Sequence, residues 1–106
     1  MKIKILHGTP AAVAKSANEL IRSNPNWKPT TLSAAGTKAV VSMHLDETGH
    51  DRVDQLQILS GTPAKVEDAL TSITNPAWRV AAIAPIPPTE KKTETACLVL
   101  ITLPVL

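Results

Sequence analysis

The sequence predicts an α+β fold in which a βαββ unit occurs twice. We expect the two units to form a mainly antiparallel six-stranded sheet with two helices on one face, a ferredoxin-like variant. The main observation is an internal repeat, because residues 5–13 return as residues 58–66 with seven of nine positions identical. Residues 24–28 return as residues 75–79, both with the pattern Asn-Pro-x-Trp followed by a basic residue. A repeat of this kind indicates a duplicated structural unit.

The first repeat is predicted to contain a strand, a helix and two further strands. The alternation of polar and apolar side chains through Ile3 and Ile5 is typical of a strand with one buried face. Thr9 can cap a helix, and Pro10 suits its first position, where a missing N–H costs nothing. Asn24 and Pro25 end that helix. The predicted strands are residues 2–7, 27–34 and 38–46.

The second repeat carries the same signals in the same order. Thr62 is the expected helix cap and Pro63 the first helical residue, and the helix ends at Asn75. The predicted strands are residues 53–60, 78–86 and 95–103. The helix of each repeat connects its first two strands, which makes them parallel, and the third strand is expected to lie between them.

The last predicted strand is apolar at every position from residue 96 to residue 101. Such a strand is normally buried on both faces, whereas helices on one face of a sheet cover only one. We therefore expect a second copy of the chain, with a homodimer favoured, to cover the other face. The predicted oligomer interface consists of Cys97, Val99, Ile101, Ala81 and Ile83.

Composition limits the classes of function. The chain has 106 residues, of which 43% are hydrophobic, and this suits one domain, residues 1–106, made of repeats 1–49 and 50–106. Its net charge of +2 is too small to indicate nucleic acid or an anionic membrane by itself. One cysteine excludes an intramolecular disulfide and favours a reducing, cytoplasmic location. No signal peptide or membrane-spanning segment is visible.

Two aromatic steps are the candidate ligand-binding residues. Trp27-Lys28 and Trp78-Arg79 occupy equivalent places in the two repeats. Paired Trp-basic steps are able to stack nucleic-acid bases or a planar ligand. The competing interpretation, which we favour, is that each Trp packs into the core, because the chain has no other aromatic residue.

The segment joining the repeats contains a cluster of imidazole and carboxylate groups. His44, Asp46, His50 and Asp51 are the residues that would hold a divalent metal there. Their spacing matches no structural zinc pattern, so we expect no metal and no cofactor. The Gly-Thr-Pro of each repeat is interpreted as a helix start rather than as a phosphate loop, because no glycine-rich phosphate motif is present.

These observations favour a small non-catalytic binding or interaction protein that acts as a homo-oligomer. No catalytic residues are assigned, since no triad or nucleophile-base signature occurs. Its partner would be a protein or a small ligand bound between the repeats. The first alternative is a nucleic-acid-binding module that uses the two Trp-basic steps. The second is an enzyme or metal site in the segment from His44 to Asp51.

Overall fold

The chain forms two helices and six strands, arranged as a strand-helix-strand-strand unit that occurs twice. The computed structural model describes residues 2–91 and 93–105. The elements are β1 Ile3–Gly8, α1 Pro10–Ser23, β2 Trp27–Ala35, β3 Lys38–Leu45, β4 Val53–Gly61, α2 Pro63–Thr71, β5 Arg79–Ile86 and β6 Ala96–Pro104. The predicted α+β class and the order of elements are confirmed.

The strands form two separate three-stranded sheets, with orders β1-β3-β2 and β4-β6-β5. All pairings are antiparallel, and the third strand of each unit lies between the other two, as predicted. The expected single six-stranded sheet is therefore wrong, and the ferredoxin-like arrangement is not confirmed. The physical reason is that α1, and not a strand of the first sheet, lies along the edge strand β4, while faces of both sheets contribute to one core.

Each helix begins at a Gly-Thr-Pro step. Gly8 and Gly61 have φ angles of +144° and +143°, which residues with a side chain rarely adopt. The Thr9 hydroxyl accepts a hydrogen bond from the Ala12 N–H, and Thr62 makes the equivalent contact in the second unit. The predicted caps are confirmed, and their hydroxyls serve the helix itself.

The helix α1 lies between the two sheets. Its buried side chains are Val13, Ala17 and Ile21, and the helix packs against β4 as well as against its own sheet. Away from α1, β2 and β5 approach each other through small residues such as Ala34 and Ala84. The main core therefore lies between two unlike faces. On the first sheet it is the face that carries the helix of its own unit, and on the second sheet it is the face that points away from the helix of its own unit.

The helix α2 covers the remaining face of the second sheet. Val66 of α2 packs with Val99 and Ile101 of β6, and Cys97 borders this cluster. The other face of β6, including Leu98, is buried in the main core. The two helices thus lie on different faces of the second sheet, which corrects the expectation that both lie on one face.

This arrangement also explains why β6 is apolar on both faces. Val99 is 2% exposed and Ile101 is 1% exposed within a single chain, so a second copy is not needed to cover them. The predicted exposure of Val99 and Ile101 to a second copy is corrected for this reason, whereas Cys97 is partly exposed and its interface role stays a prediction. Ala81, at the irregularity of β5, and Ile83 remain exposed, and an interface role for them stays a prediction.

Candidate interaction surfaces

The first Trp-basic step is part of the internal structure. Trp27 is 8% exposed and lies in the main core. The Lys28 Nζ atom lies 2.8 Å from Asp46 Oδ2, where it forms an ion pair and a hydrogen bond. Neither side chain is arranged as a stacking platform, so the core interpretation of Trp27 is confirmed.

The second step has a different environment. Trp78 is half-buried against the smaller core beneath α2, and Arg79 is exposed. Together with Val80 and Ile73 they line a groove of about 270 Å³ between the end of α2 and β5. Duplication therefore placed one Trp inside the protein and the other at its surface.

The segment joining the repeats is held by its own hydrogen bonds. The Asp46 carboxylate accepts bonds from Lys28 and from both the hydroxyl and the backbone N–H of Thr48. Lys28 first, and then Thr48, hold the pKa of Asp46 well below its usual range. The His44 Nδ1 atom is 2.8 Å from the Thr30 hydroxyl.

These hydrogen bonds hold the candidate metal ligands in separate contacts and do not bring them around one point. Across residues 2–91 and 93–105, no group of three or more His, Cys, Asp or Glu side chains could hold a metal ion. His50 and Asp51 lie exposed in the turn before β4. The predicted metal candidates are therefore not brought together in the described part of the chain.

A second cleft, of about 580 Å³, lies at the beginning of α2. It is lined by the β2–β3 turn of the first unit at Thr37, by Thr62 and Lys65 of the second unit, and by the loop before β6. Residues of both repeats line this cleft, and a small ligand bound between the repeats stays a prediction. Its Thr62 hydroxyl is already occupied by the Lys65 N–H at 3.4 Å, as the structural interpretation of Gly-Thr-Pro requires.

The most unusual feature of the surface is its exposed large apolar side chains. Within the described ranges, Ile3 and Ile5 of β1 are 53% and 65% exposed, and Val80 and Ile83 of β5 are 51% and 65% exposed. Val105 near the C-terminus is the remaining member of this group. Isolated exposed apolar residues are ordinary, but clusters mark interaction sites.

Ile3 and Ile5 lie on the face of the first sheet that points away from α1. Strand register places Ile5 opposite Ser42 and His7 opposite Val40 on this face. We call Ile3, Ile5 and Val40 the open surface. The sequence pattern predicted one buried face for β1, but it assigned Ile3 and Ile5 to that face. The structure instead turns Leu6 toward the core.

Val80 and Ile83 lie on the face of β5 beside α2. Register places Ile83 opposite Val99, and Val80 opposite Ile101, on this face. We call Trp78, Val80 and Ile83 the groove surface. The nine-residue α2 packs against β4 and β6 and leaves these residues of β5 uncovered. The sequence did not indicate this, because it predicts that the second helix ends at Asn75, whereas α2 ends at Thr71.

Comparison with known proteins gives no family for the chain. No protein-family model matches it, and neither curated proteins nor solved structures give a significant match. Among the helices that the structure describes, none is long and apolar enough to cross a membrane.

Proposed function

We propose that this chain is a small non-catalytic interaction protein that acts as an assembly of its own copies. The observation that supports the proposal is the pair of exposed apolar surfaces on opposite sides of the molecule. The open surface and the groove surface face away from each other, because the faces behind them are packed together in the main core.

Burial of these side chains would favour association. Complete removal of an exposed Ile or Val from water contributes about 1.5–3 kcal/mol. The exposed side chains Ile3, Ile5, Val80 and Ile83 are 51–65% exposed, so each would contribute about half to two-thirds of that amount. Losses of translational and rotational freedom oppose this gain, so we expect association to depend on protein concentration.

Fewer residues are available for the alternative function, nucleic-acid binding. Of its four residues, Trp27 is in the core and Lys28 is paired with Asp46, which leaves Trp78 and Arg79. One Trp-Arg step and a net charge of +2 provide little for tracking a phosphate backbone.

Sedimentation velocity over a range of protein concentrations tests the proposal. The wild-type protein should show a mass above the 11.3 kDa of one chain, rising with concentration. Ile5→Lys should shift the protein toward the monomer because it places a charge in an apolar contact. Glu19→Lys, on an exposed position of α1, is the control for added positive charge.

A wild-type protein that remains monomeric at every concentration would contradict the proposal. Oligonucleotide binding measured by anisotropy at two salt concentrations provides the comparison with the alternative. Tight, salt-sensitive binding that is lost in Arg79→Ala would favour the nucleic-acid function instead.

A further inference from the structure

The two units can be compared position by position through their strand registers. Gly8 is paired with Ala39 in the first sheet, as Gly61 is paired with Cys97 in the second. Counting along the strands from these pairs makes Ile3 equivalent to Leu56, Ile5 to Ile58 and Val40 to Leu98. Every residue of the open surface therefore has a known counterpart in the second unit.

Those counterparts are buried. Leu56 and Leu98 are 0% exposed and Ile58 is 9% exposed, all within the main core beneath the first unit. This face of a βαββ unit is therefore one that packs against a neighbouring unit, as the chain itself demonstrates. In the first unit the same face keeps its apolar residues at Ile3, Ile5 and Val40, and no unit covers it.

The other half of the internal contact is supplied by the helix face of the first unit. Leu32 and Ala34 of β2 are partly buried there, and β2 lies close to β5 of the second unit. Register makes Leu32 equivalent to Ile83, because they lie opposite the equivalent residues Val41 and Val99. The groove surface thus corresponds to the surface that the first unit uses internally.

Each chain therefore contains one contact between units, and it also exposes an unused equivalent of each of the two surfaces that form that contact. The open surface is equivalent to the face of the second unit that is buried in the main core. The groove surface is equivalent to the helix face of the first unit. A second copy of the same chain carries the complement of both. Repeat proteins bury such surfaces by stacking further units.

Charge favours the same pairing. Residues 1–53 carry seven basic and four acidic side chains, whereas residues 54–106 carry four basic and five acidic ones. The exposed acidic residues Glu67 and Asp68 of α2 stand where α1 has Ala14 and Lys15, whereas the exposed Arg79 lies beside Trp78 in the groove. Contact between unlike halves therefore pairs the basic half of one copy with the slightly acidic half of the next, whereas contact between two open surfaces brings two basic halves together.

We infer that copies of this chain associate head to tail, with the open surface of one copy packed on the groove surface of the next, in imitation of the contact between its own two units. This inference rests on the proposed function and specifies its geometry. The two surfaces are different, so the contact is heterologous and does not close at a dimer. Association should continue to a ring or a filament according to the rotation between copies.

Complementation between two single variants tests the geometry. Ile5→Lys disables the open surface and Ile83→Lys disables the groove surface, and each variant retains the other surface. Each should be monomeric alone in sedimentation velocity. An equimolar mixture should form a species of twice the 11.3 kDa chain mass that does not grow further, because only one functional contact remains.

The possible results separate this inference from the proposed function. A monomeric wild-type protein would contradict both. A wild-type oligomer with no heterodimer in the mixture would overturn the head-to-tail geometry alone, as would an Ile83→Lys variant that associates like the wild type through two open surfaces.

Folding of the variants is checked by circular dichroism, and the positions are exposed enough for the charge to be tolerated. If either Lys variant unfolds, Ile5→Ser and Ile83→Ser give the same complementation test without a new charge. With those variants, a mixture that fails to form the heterodimer overturns the geometry in the same way.

Discussion

Asn18 provides the sharpest test of how the two units are joined. Its side-chain Nδ2 donates to the Leu56 carbonyl at 3.0 Å, and its Oδ1 accepts from the Leu56 N–H at 2.8 Å. Leu56 lies on β4, an edge strand of the second sheet, so the amide of α1 occupies the hydrogen-bonding position of a neighbouring strand. One side chain therefore satisfies two backbone groups across the boundary between the units.

The substitution Asn18→Ala should lower the free energy of unfolding by about 1.5 kcal/mol. Loss of the amide leaves the donor and the acceptor of Leu56 without partners, at about 1–3 kcal/mol each when burial is complete. Water can enter the space that the amide vacates, which brings the combined loss to about 2 kcal/mol. Better helix propensity of Ala returns about 0.5 kcal/mol. The expected decrease in melting temperature is about 6 °C.

Urea unfolding followed by tryptophan fluorescence measures this change, since each unit contains one Trp. The matched control is Thr71→Ala, at the equivalent position of α2, because the Thr71 hydroxyl bonds only to Glu67 of its own helix. The control should stay within about 0.5 kcal/mol of the wild type. Equal effects of the two substitutions would refute the role assigned to Asn18.

A charged variant tests the same contact through pH. Asn18→Asp retains the acceptor for the Leu56 N–H but places a carboxylate against the Leu56 carbonyl, which should raise the pKa of the new carboxyl group. A raised pKa in the folded state means that the penalty is largest at neutral pH and is relieved as the pH falls, because the protonated form can donate. Stability of this variant that is independent of pH, measured relative to Asn18→Ala, would contradict the geometry.

Three further predictions follow from burial, charge and backbone conformation. Trp27→Leu should lower the free energy of unfolding in urea by about 2–3 kcal/mol, and Trp78→Leu should lower it by about 1 kcal/mol. The difference is expected because Trp27 is 8% exposed and Trp78 is half-buried, and equal losses would contradict it. Asp46→Asn should destabilise the protein at neutral pH, and the difference in stability from the wild type should disappear on acidification. The reason is that the lowered pKa of Asp46 contributes stability only above the pH range where the carboxyl is protonated in both the folded and the unfolded state. A difference that persists in acid would refute the pairing with Lys28. Gly61→Ala should cost about 1–3 kcal/mol by thermal melting, since φ is +143° at this position, and an unchanged melting temperature would contradict the assigned conformation.

Local patterns predicted the secondary structure well because they depend on neighbouring residues. Thr9 and Thr62 cap their helices, and both helices begin at the predicted Pro, since a cap requires only a side chain three residues from an N–H. The order of strands within each sheet followed from hairpin and crossover rules. The candidate site was predicted less well, because whether a Trp is buried depends on which element covers it.

The strand β6 illustrates what the sequence does not determine, namely which element covers an apolar face. The pattern of residues 96–101 correctly required cover on both faces, but it carried no information about which element provides that cover. The sequence predicts a second chain over one face, whereas α2 covers Val99 and the first unit covers Leu98. Either kind of cover satisfies the apolar pattern of β6, so the sequence does not distinguish them.

By itself, the sequence determined that a βαββ unit is present twice, where its helices begin and which of its strands pair. These properties depend on turns, caps and periodicity within about fifty residues of chain. Only the tertiary structure decided that the units stack face to face, with α1 between two sheets. That stacking leaves Ile5 exposed and buries its counterpart Ile58. Two copies of one local pattern therefore have different surfaces, because each unit has two apolar faces and a stack of two units can bury only the faces that meet.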